Sequence, residues 1–282
     1  MATAALLVPR RKRRSVIPGF GLTMGLTVVW LSFLVLIPLA AVFARSAGLG
    51  WGHFVDVGLS DRAMRAYRLS FGGSLAAAAI NSVFGLLIAW VLVRYEFPGR
   101  RLMSAFVDLP FALPTAVAGI ALTAIYADTG WVGRLLPFPV AYKPQGVVVA
   151  MVFIGLPFVV RTVEPVLADL GKGIEEAAAT LGAGRLTTFW RVILPEIAPA
   201  LLTGFALAFA RAVGEYGSVI FIAGNVPYVS EIAPLLIVTQ LEQFDYEGAT
   251  AIATVMLAAS FLMLFVINLI QGRERRRLGQ EA

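Results

Sequence analysis

The chain contains no cysteine and a single histidine, His53. Disulfides, thiolate metal sites and cysteine nucleophiles are therefore excluded. A histidine-rich metal cluster is excluded as well. Charge is scarce too: only 14% of the residues are Asp, Glu, Lys or Arg, against about 25% in an ordinary soluble domain. Apolar residues take their place. The hydrophobic set makes up 59% of the 282 residues, and the mean hydropathy is +0.83. A water-soluble fold of this size has no interior large enough to hide that surface. The composition predicts an integral membrane protein.

A helix that crosses the hydrocarbon of a bilayer needs about 20 apolar residues. Six stretches qualify, at about 20–44, 66–93, 104–127, 145–167, 197–223 and 249–271. Pro110, Pro114, Pro157 and Pro165 predict kinks or short extra segments in the third and fourth. The net charge of +6 follows the loops rather than a face suited to nucleic acid, which is not expected as a partner. With the N-terminus inside, fifteen Lys and Arg fall on inner segments and six on outer ones. That asymmetry predicts both termini in the cytoplasm, with attraction to anionic membrane lipid as a minor extra. The basic run 10–14 precedes an apolar stretch longer than a signal-peptide core, which reads as a membrane anchor. The expected organisation is a basic segment over 1–19, a six-helix domain over 20–271 and a basic tail over 272–282. Gly21 and Gly25 form a small-xxx-small pair suited to ordinary helix packing.

The long inner loop, about 168–196, has its own pattern. Residues 174–181 read IEEAAATL, a run of strong helix formers. Gly182-Ala-Gly184 breaks the run, since glycine turns at low steric cost. A second short helix over 185–193 places Leu186, Phe189, Trp190 and Ile193 on one face. Pro195 is expected to end this unit. The apolar face suits its own bundle, the lipid interface or a docked soluble protein. Composition and periodicity leave those three open.

The residue pattern adds a resemblance. Glu176-Ala177-Ala178, then Gly182 after three residues, then Val192-Ile193-Leu194-Pro195 after nine more, is similar to the EAA loop of ABC importer permeases. Val192 stands where that consensus has Ile. The resemblance implies an all-α integral membrane fold of type I importer permeases, with six transmembrane helices and cytoplasmic coupling helices. It implies a coupling role for Glu175, Glu176, Ala177, Ala178, Gly182, Leu194 and Pro195 against a separate ATPase subunit. The chain has no Walker sequence, because Gly171-Lys172 is followed by Gly173. No cofactor is expected in this chain; ATP with magnesium would be bound by the ATPase partner. With its one histidine in an outer loop, a Ser-His pair inside the bundle is also excluded, so no enzymatic activity is expected.

Further motifs narrow the resemblance. Phe209-Ala-Arg-Ala-Val-Gly-Glu-Tyr-Gly217, followed by Ser218-Val-Ile-Phe-Ile-Ala-Gly-Asn225, looks like the fifth span of sulfate and thiosulfate permeases. So do Ser230-Glu-Ile-Ala-Pro-Leu-Leu236, Phe244-Asp-Tyr246 and Asp108-Leu-Pro-Phe-Ala-Leu-Pro114. The chain resembles the T-type subunit of that group. This implies a homologous W-type permease, two ATPase subunits and an extracytoplasmic sulfate/thiosulfate-binding protein as partners, at a bacterial inner membrane. The Arg-x-x-Gly-Glu-Tyr-Gly core is shared with molybdate permeases, so a molybdate or tungstate importer is the alternative. An ATP-independent secondary transporter and an integral-membrane enzyme are the readings of other classes.

Intramembrane charges are costly, about 2.5 to 3.5 kcal/mol each at a helix centre. Arg211 and Glu215 lie four apart and share a helix face. They form either a packing pair or part of an anion path, with Ser218 and Asn225 as neutral donors. Arg161 and Glu164 read as interfacial or domain-contact residues. Glu231, Glu242, Asp245 and Glu247 have no basic neighbour in sequence, which predicts an acidic outer surface for protein docking.

Overall fold

A computed structural model describes residues 19–277. The basic segment 1–18 and residues 278–282 of the tail lie outside the described residues. The described residues form helices and turns, with no strand among them. In chain order the helices are α1 (Phe20–Ala47), α2 (Trp51–Gly58), α3 (Asp61–Arg94), α4 (Arg100–Ala112) and α5 (Thr115–Tyr126). There follow α6 (Pro144–Asp169), α7 (Gly173–Thr180), α8 (Arg185–Val213), α9 (Val219–Ala223), α10 (Ala233–Glu242) and α11 (Tyr246–Arg277). Five of these, α1, α3, α6, α8 and α11, are long and apolar enough to cross a membrane. The sixth expected span is the pair α4 and α5, bent by 115°. Pro114 explains the break. It disfavours helical backbone at the preceding residue, and Leu113 is accordingly extended.

The core is built by α3, α6 and α8, which pack pairwise. Small residues on one face of α3, among them Gly73, Ala77, Asn81, Gly85 and Ala89, let the backbones approach. A Cβ at Gly85 would lie 2.8 Å from Cγ1 of Val159 on α6. A Cβ at Gly204 on α8 would lie 2.8 Å from the Val159 Cα. Val159, Val160, Val163, Ala208 and Phe209 fill the space between these helices and are fully buried. The helix α11 packs on α10, α8 and the C-terminal half of α1. The N-terminal half of α1 buries none of its residues, as suits a helix whose apolar faces meet lipid. Gly21 and Gly25 have no neighbour within 4 Å among the described residues.

Two expected boundaries are corrected. Pro195 does not end the loop unit: α8 runs unbroken from Arg185 through Pro195 to Val213. A proline has no N–H, and its ring clashes with the carbonyl four residues back. A π turn over Phe189–Ile193 widens the helix just before Pro195, with the Leu194 N–H on the Phe189 carbonyl. The same device precedes Pro38 in α1, where Ser32–Leu36 is a π turn. The second correction concerns the fifth span, which stops at Val213 rather than Ala223. Gly214 leaves the helix, and Val219–Ala223 is a separate short helix. Ser218 and Asn225 therefore flank that short helix and do not lie within a continuous span.

Candidate functional site

The loop between α6 and α8 is a helical hairpin. Glu175 and Glu176 occupy the first turn of α7, where the helix dipole favours negative charge. Glu175 turns toward its own chain: its carboxylate lies 2.9 Å from Nη2 of Arg94, whose side chain is 8% exposed. The Arg94 guanidinium also sits 5.6 Å from the Trp90 ring centroid. Glu176 and Ala177 face outward, whereas Ala178 is buried. The small residues of the motif thus split between the two sides of α7.

The turn that follows has a definite geometry. The Ala183 N–H donates to the Ala178 carbonyl, and the Gly182 N–H to that of Ala179, both at 3.0 Å. This is the Schellman arrangement, which needs a left-handed residue just past the helix. Gly182 supplies it with a φ of 80°, and no atom lies within 4 Å of where its Cβ would be. Backbone conformation, not space, demands glycine here.

The apolar stripe on the second helix also divides. Phe189 meets Trp90 edge-on at 5.9 Å, and Ile193 is buried with Leu167 and Ile197. Leu194 packs partly against the same cluster, and Pro195 is exposed. Leu186 and Trp190 stay exposed, as does Leu181 at the turn, which is 88% exposed. The hairpin therefore presents Glu176, Ala177, Leu181, Leu186 and Trp190 outward while Glu175, Ala178, Ile193 and Leu194 anchor it.

At the far end of α8 the four polar residues expected together do cluster in part. Arg211 donates to Oε2 of Glu215. The other carboxylate oxygen of Glu215 accepts the backbone N–H of Ser218 at 2.9 Å and its hydroxyl at 3.0 Å. Glu215 and Ser218 are buried; Arg211 is half-buried. The helix α5 presses on this break: a Cβ at Gly119 would lie 2.8 Å from the Ser218 Cα. Asn225 stands apart, in left-handed backbone, with its amide nitrogen 3.4 Å from the Thr239 hydroxyl. The arrangement braces a helix break. In it Ser218 spends its hydroxyl proton on Glu215, and Arg211 is the more accessible member of the ion pair.

The acidic outer surface is not formed as expected. Glu231 is buried and held by both Nε and Nη2 of Arg62, at 2.8 and 2.7 Å. Arg62 lies 169 positions away in sequence, so the pairing was not visible there. Asp245 caps α11 through the Gly248 N–H at 2.8 Å. Glu247 lies 3.6 Å from His53. Glu242 and Glu247 are exposed, but burial of Glu231 against Arg62 removes it from the expected surface.

Three further features escaped the sequence. Arg94 ends an apolar helix and reads there as an ordinary inner-side cation. Arg161, expected with Glu164 as an interfacial or domain-contact residue, holds Glu164 and ties α6 to α4 through partners the sequence did not show, Asp108 and the Ser104 carbonyl and hydroxyl. Asn81, in the middle of α3, is fully buried, and neither of its amide atoms has a hydrogen-bond partner. No group of three or more metal-ligating side chains occurs among the described residues.

Comparison with known proteins places these features in a family. Residues 81–280 match the family described as binding-protein-dependent transport system inner membrane component. A sulfate transport system permease protein CysT of Synechococcus elongatus is 54% identical over 256 residues, covering 90% of this chain and 92% of that one. The protein of the same name from Salmonella typhimurium is 47% identical over 268 residues, covering 94% and 97%. Among solved structures, a bacterial alginate ABC transporter in complex with its periplasmic protein has a similar chain. It has a TM-score of 0.72 at 18% identity, over 92% of this chain and 94% of that one. At that identity the likeness concerns the fold, which is that of ABC importer permeases.

Proposed function

The chain belongs to the family of binding-protein-dependent transport system inner membrane components, and from that premise we propose that it is the T-type permease of an ATP-driven sulfate/thiosulfate importer. As a multi-pass membrane permease it is not itself a catalyst; it would form half of a translocation pathway. The observation that carries the substrate is the set of relatives named for sulfate transport, about half identical over nine-tenths of the chain. A homologous W-type permease would supply the other half. Two ATPase subunits, which bind ATP with magnesium, and an extracytoplasmic binding protein would complete the complex. The chain would sit in a bacterial inner membrane with both termini in the cytoplasm.

The geometry suggests how coupling would run. Glu176, Ala177, Leu181 and Leu186 would meet the ATPase, while Glu175, Ala178 and Leu194 would hold the hairpin to the spans. Arg185 begins the same helix that carries Arg211. Those 26 positions extend about 39 Å, so a push on the hairpin would move the charged break as one body. A switch of this kind needs two packed arrangements of that break. Arg211 would then line the path in one of them, with Glu215 limiting how tightly an anion is held.

Radiolabelled sulfate uptake in cells with and without the chain tests this reading. Dependence on the chain, with inhibition by excess thiosulfate and little by molybdate or tungstate, is the expected result. Strong inhibition by molybdate or tungstate would move the substrate to that oxyanion class.

A further inference from the structure

Behind the hairpin lies a cavity of about 450 Å³, lined by Trp90, Arg94, Lys172, Glu175, Arg185 and Phe189 among others. Three cations face it and one carboxylate. The Arg94 side chain is more than nine-tenths buried; its Nη2 is ion-paired with the Glu175 carboxylate at 2.9 Å, and its Nε has no hydrogen-bond partner. A buried guanidinium N–H without an acceptor is costly unless one arrives. The local excess of positive charge, two guanidiniums and one ammonium lining a single cavity, matches a phosphate group.

A second feature next to the cavity bears on the source of the phosphate. An apolar groove of about 460 Å³ shares Trp90 and Phe189 with it and continues along α3 past Leu87, Leu86 and Val83 to Ser82. Trp190, Leu194 and Leu201 of α8 form its other wall. From Arg94 back to Ser82 is 12 positions of helix, about 18 Å. One leaflet's share of the hydrocarbon core is about 15 Å. A free anion has no use for such a groove, and an apolar helix has no use for the basic cavity. The geometry points to an anionic phospholipid site, with the phosphate on Arg94, Lys172 and Arg185 and an acyl chain in the groove beside Leu86 and Leu87. Because Arg185 belongs to the hairpin and Arg94 to α3, bound lipid fastens the hairpin to α3.

The test uses the full chain, purified with whatever subunits accompany it and stripped of lipid. Equimolar phosphatidylglycerol and phosphatidylcholine with matched chains are added, and bound lipid is read by native mass spectrometry. Phosphatidylglycerol is expected to be retained preferentially. Lys172→Gln with Arg185→Gln, both at exposed positions, should cut that preference about fivefold per charge, or about 25-fold together. Phosphatidylcholine binding should stay unchanged in this variant, which controls for folding. Val83→Trp, at a groove wall that is 59% exposed, should lower retention of both lipids. Undiminished preference in the double variant overturns the assignment. Equal displacement by glycerol phosphate or sulfate, neither of which has a tail, overturns it in favour of a free-anion site. A cross-link from Val83→Cys to another protein chain, with no lipid retained, overturns it in favour of a subunit interface.

Discussion

Glu215 and Ser218 close the break at the end of α8: one carboxylate oxygen accepts both the backbone N–H and the hydroxyl of Ser218. The other oxygen is left for Arg211, so a single buried carboxylate joins helix end, turn and cation.

Glu215→Ala should therefore remove two supports at once. It would orphan a buried N–H and leave Arg211 without its counter-charge, at a cost of about 3 kcal/mol. Glu215→Gln keeps an acceptor for Ser218 and should lose about 1.5 kcal/mol. Melting midpoints in detergent should rank wild type, Glu215→Gln, then Glu215→Ala. Arg211→Gln combined with Glu215→Gln removes both charges. If the pair serves transport, uptake falls while assembly persists; full uptake in that double variant leaves a packing role only.

Gly182 makes a sharper case because nothing crowds it. Its requirement is the left-handed φ of 80°, which costs other residues about 1 to 2 kcal/mol. Gly182→Val should be worst, Gly182→Ala intermediate, and Gly182→Asn mildest, since Asn tolerates that backbone. All three should insert normally. Substrate-stimulated ATP hydrolysis by the assembled complex should fall in the same order. Equal activity in all three would show that the turn does not govern coupling.

The pair between half-buried Arg62 and buried Glu231 predicts a different asymmetry. Arg62→Ala strands a carboxylate that is 3% exposed and should cost about 3 to 5 kcal/mol. Arg62→Leu with Glu231→Leu removes both charges and should be much closer to wild type. A double-mutant cycle on thermal stability would measure the coupling; a sum of the two single effects in the double variant would mean that the pair contributes nothing.

What was legible in the sequence depended on range. Spans, hairpin and motif are local patterns, and 3.6-residue periodicity with glycine and proline punctuation exposed them. Pro195 misled because a proline normally stops a helix, and the π turn that accommodates it has no recognised local signature. The end of α8 was missed because residues 214–223 are apolar enough to read as span, while the break rests on a carboxylate turning back to cap Ser218. Arg62 with Glu231, and Arg161 with Asp108, pair across the bundle, where only packing brings them together. Asn81 was overlooked because one polar residue in an apolar helix does not disturb its hydropathy.

The exposed residues of the hairpin give the most direct test of docking. Leu181 and Leu186 are 88% and 73% exposed and contribute little to the chain's own core. Asp at either position should leave insertion and folding intact, since surface changes away from packed groups alter stability by about 0.5 kcal/mol or less. If they seat in the ATPase, each loses a central apolar anchor and places a charge in the contact. Removing one such anchor costs at least about 2 kcal/mol, which is about 30-fold in affinity. Co-purification of the ATPase subunit should then fall for Leu181→Asp and Leu186→Asp, whereas Thr187→Asp, also exposed but polar to begin with, should matter less. Undiminished co-purification in both leucine variants would move the contact to Glu176 and Ala177 alone. The apolar tip would then be read as a surface that rests against the lipid interface.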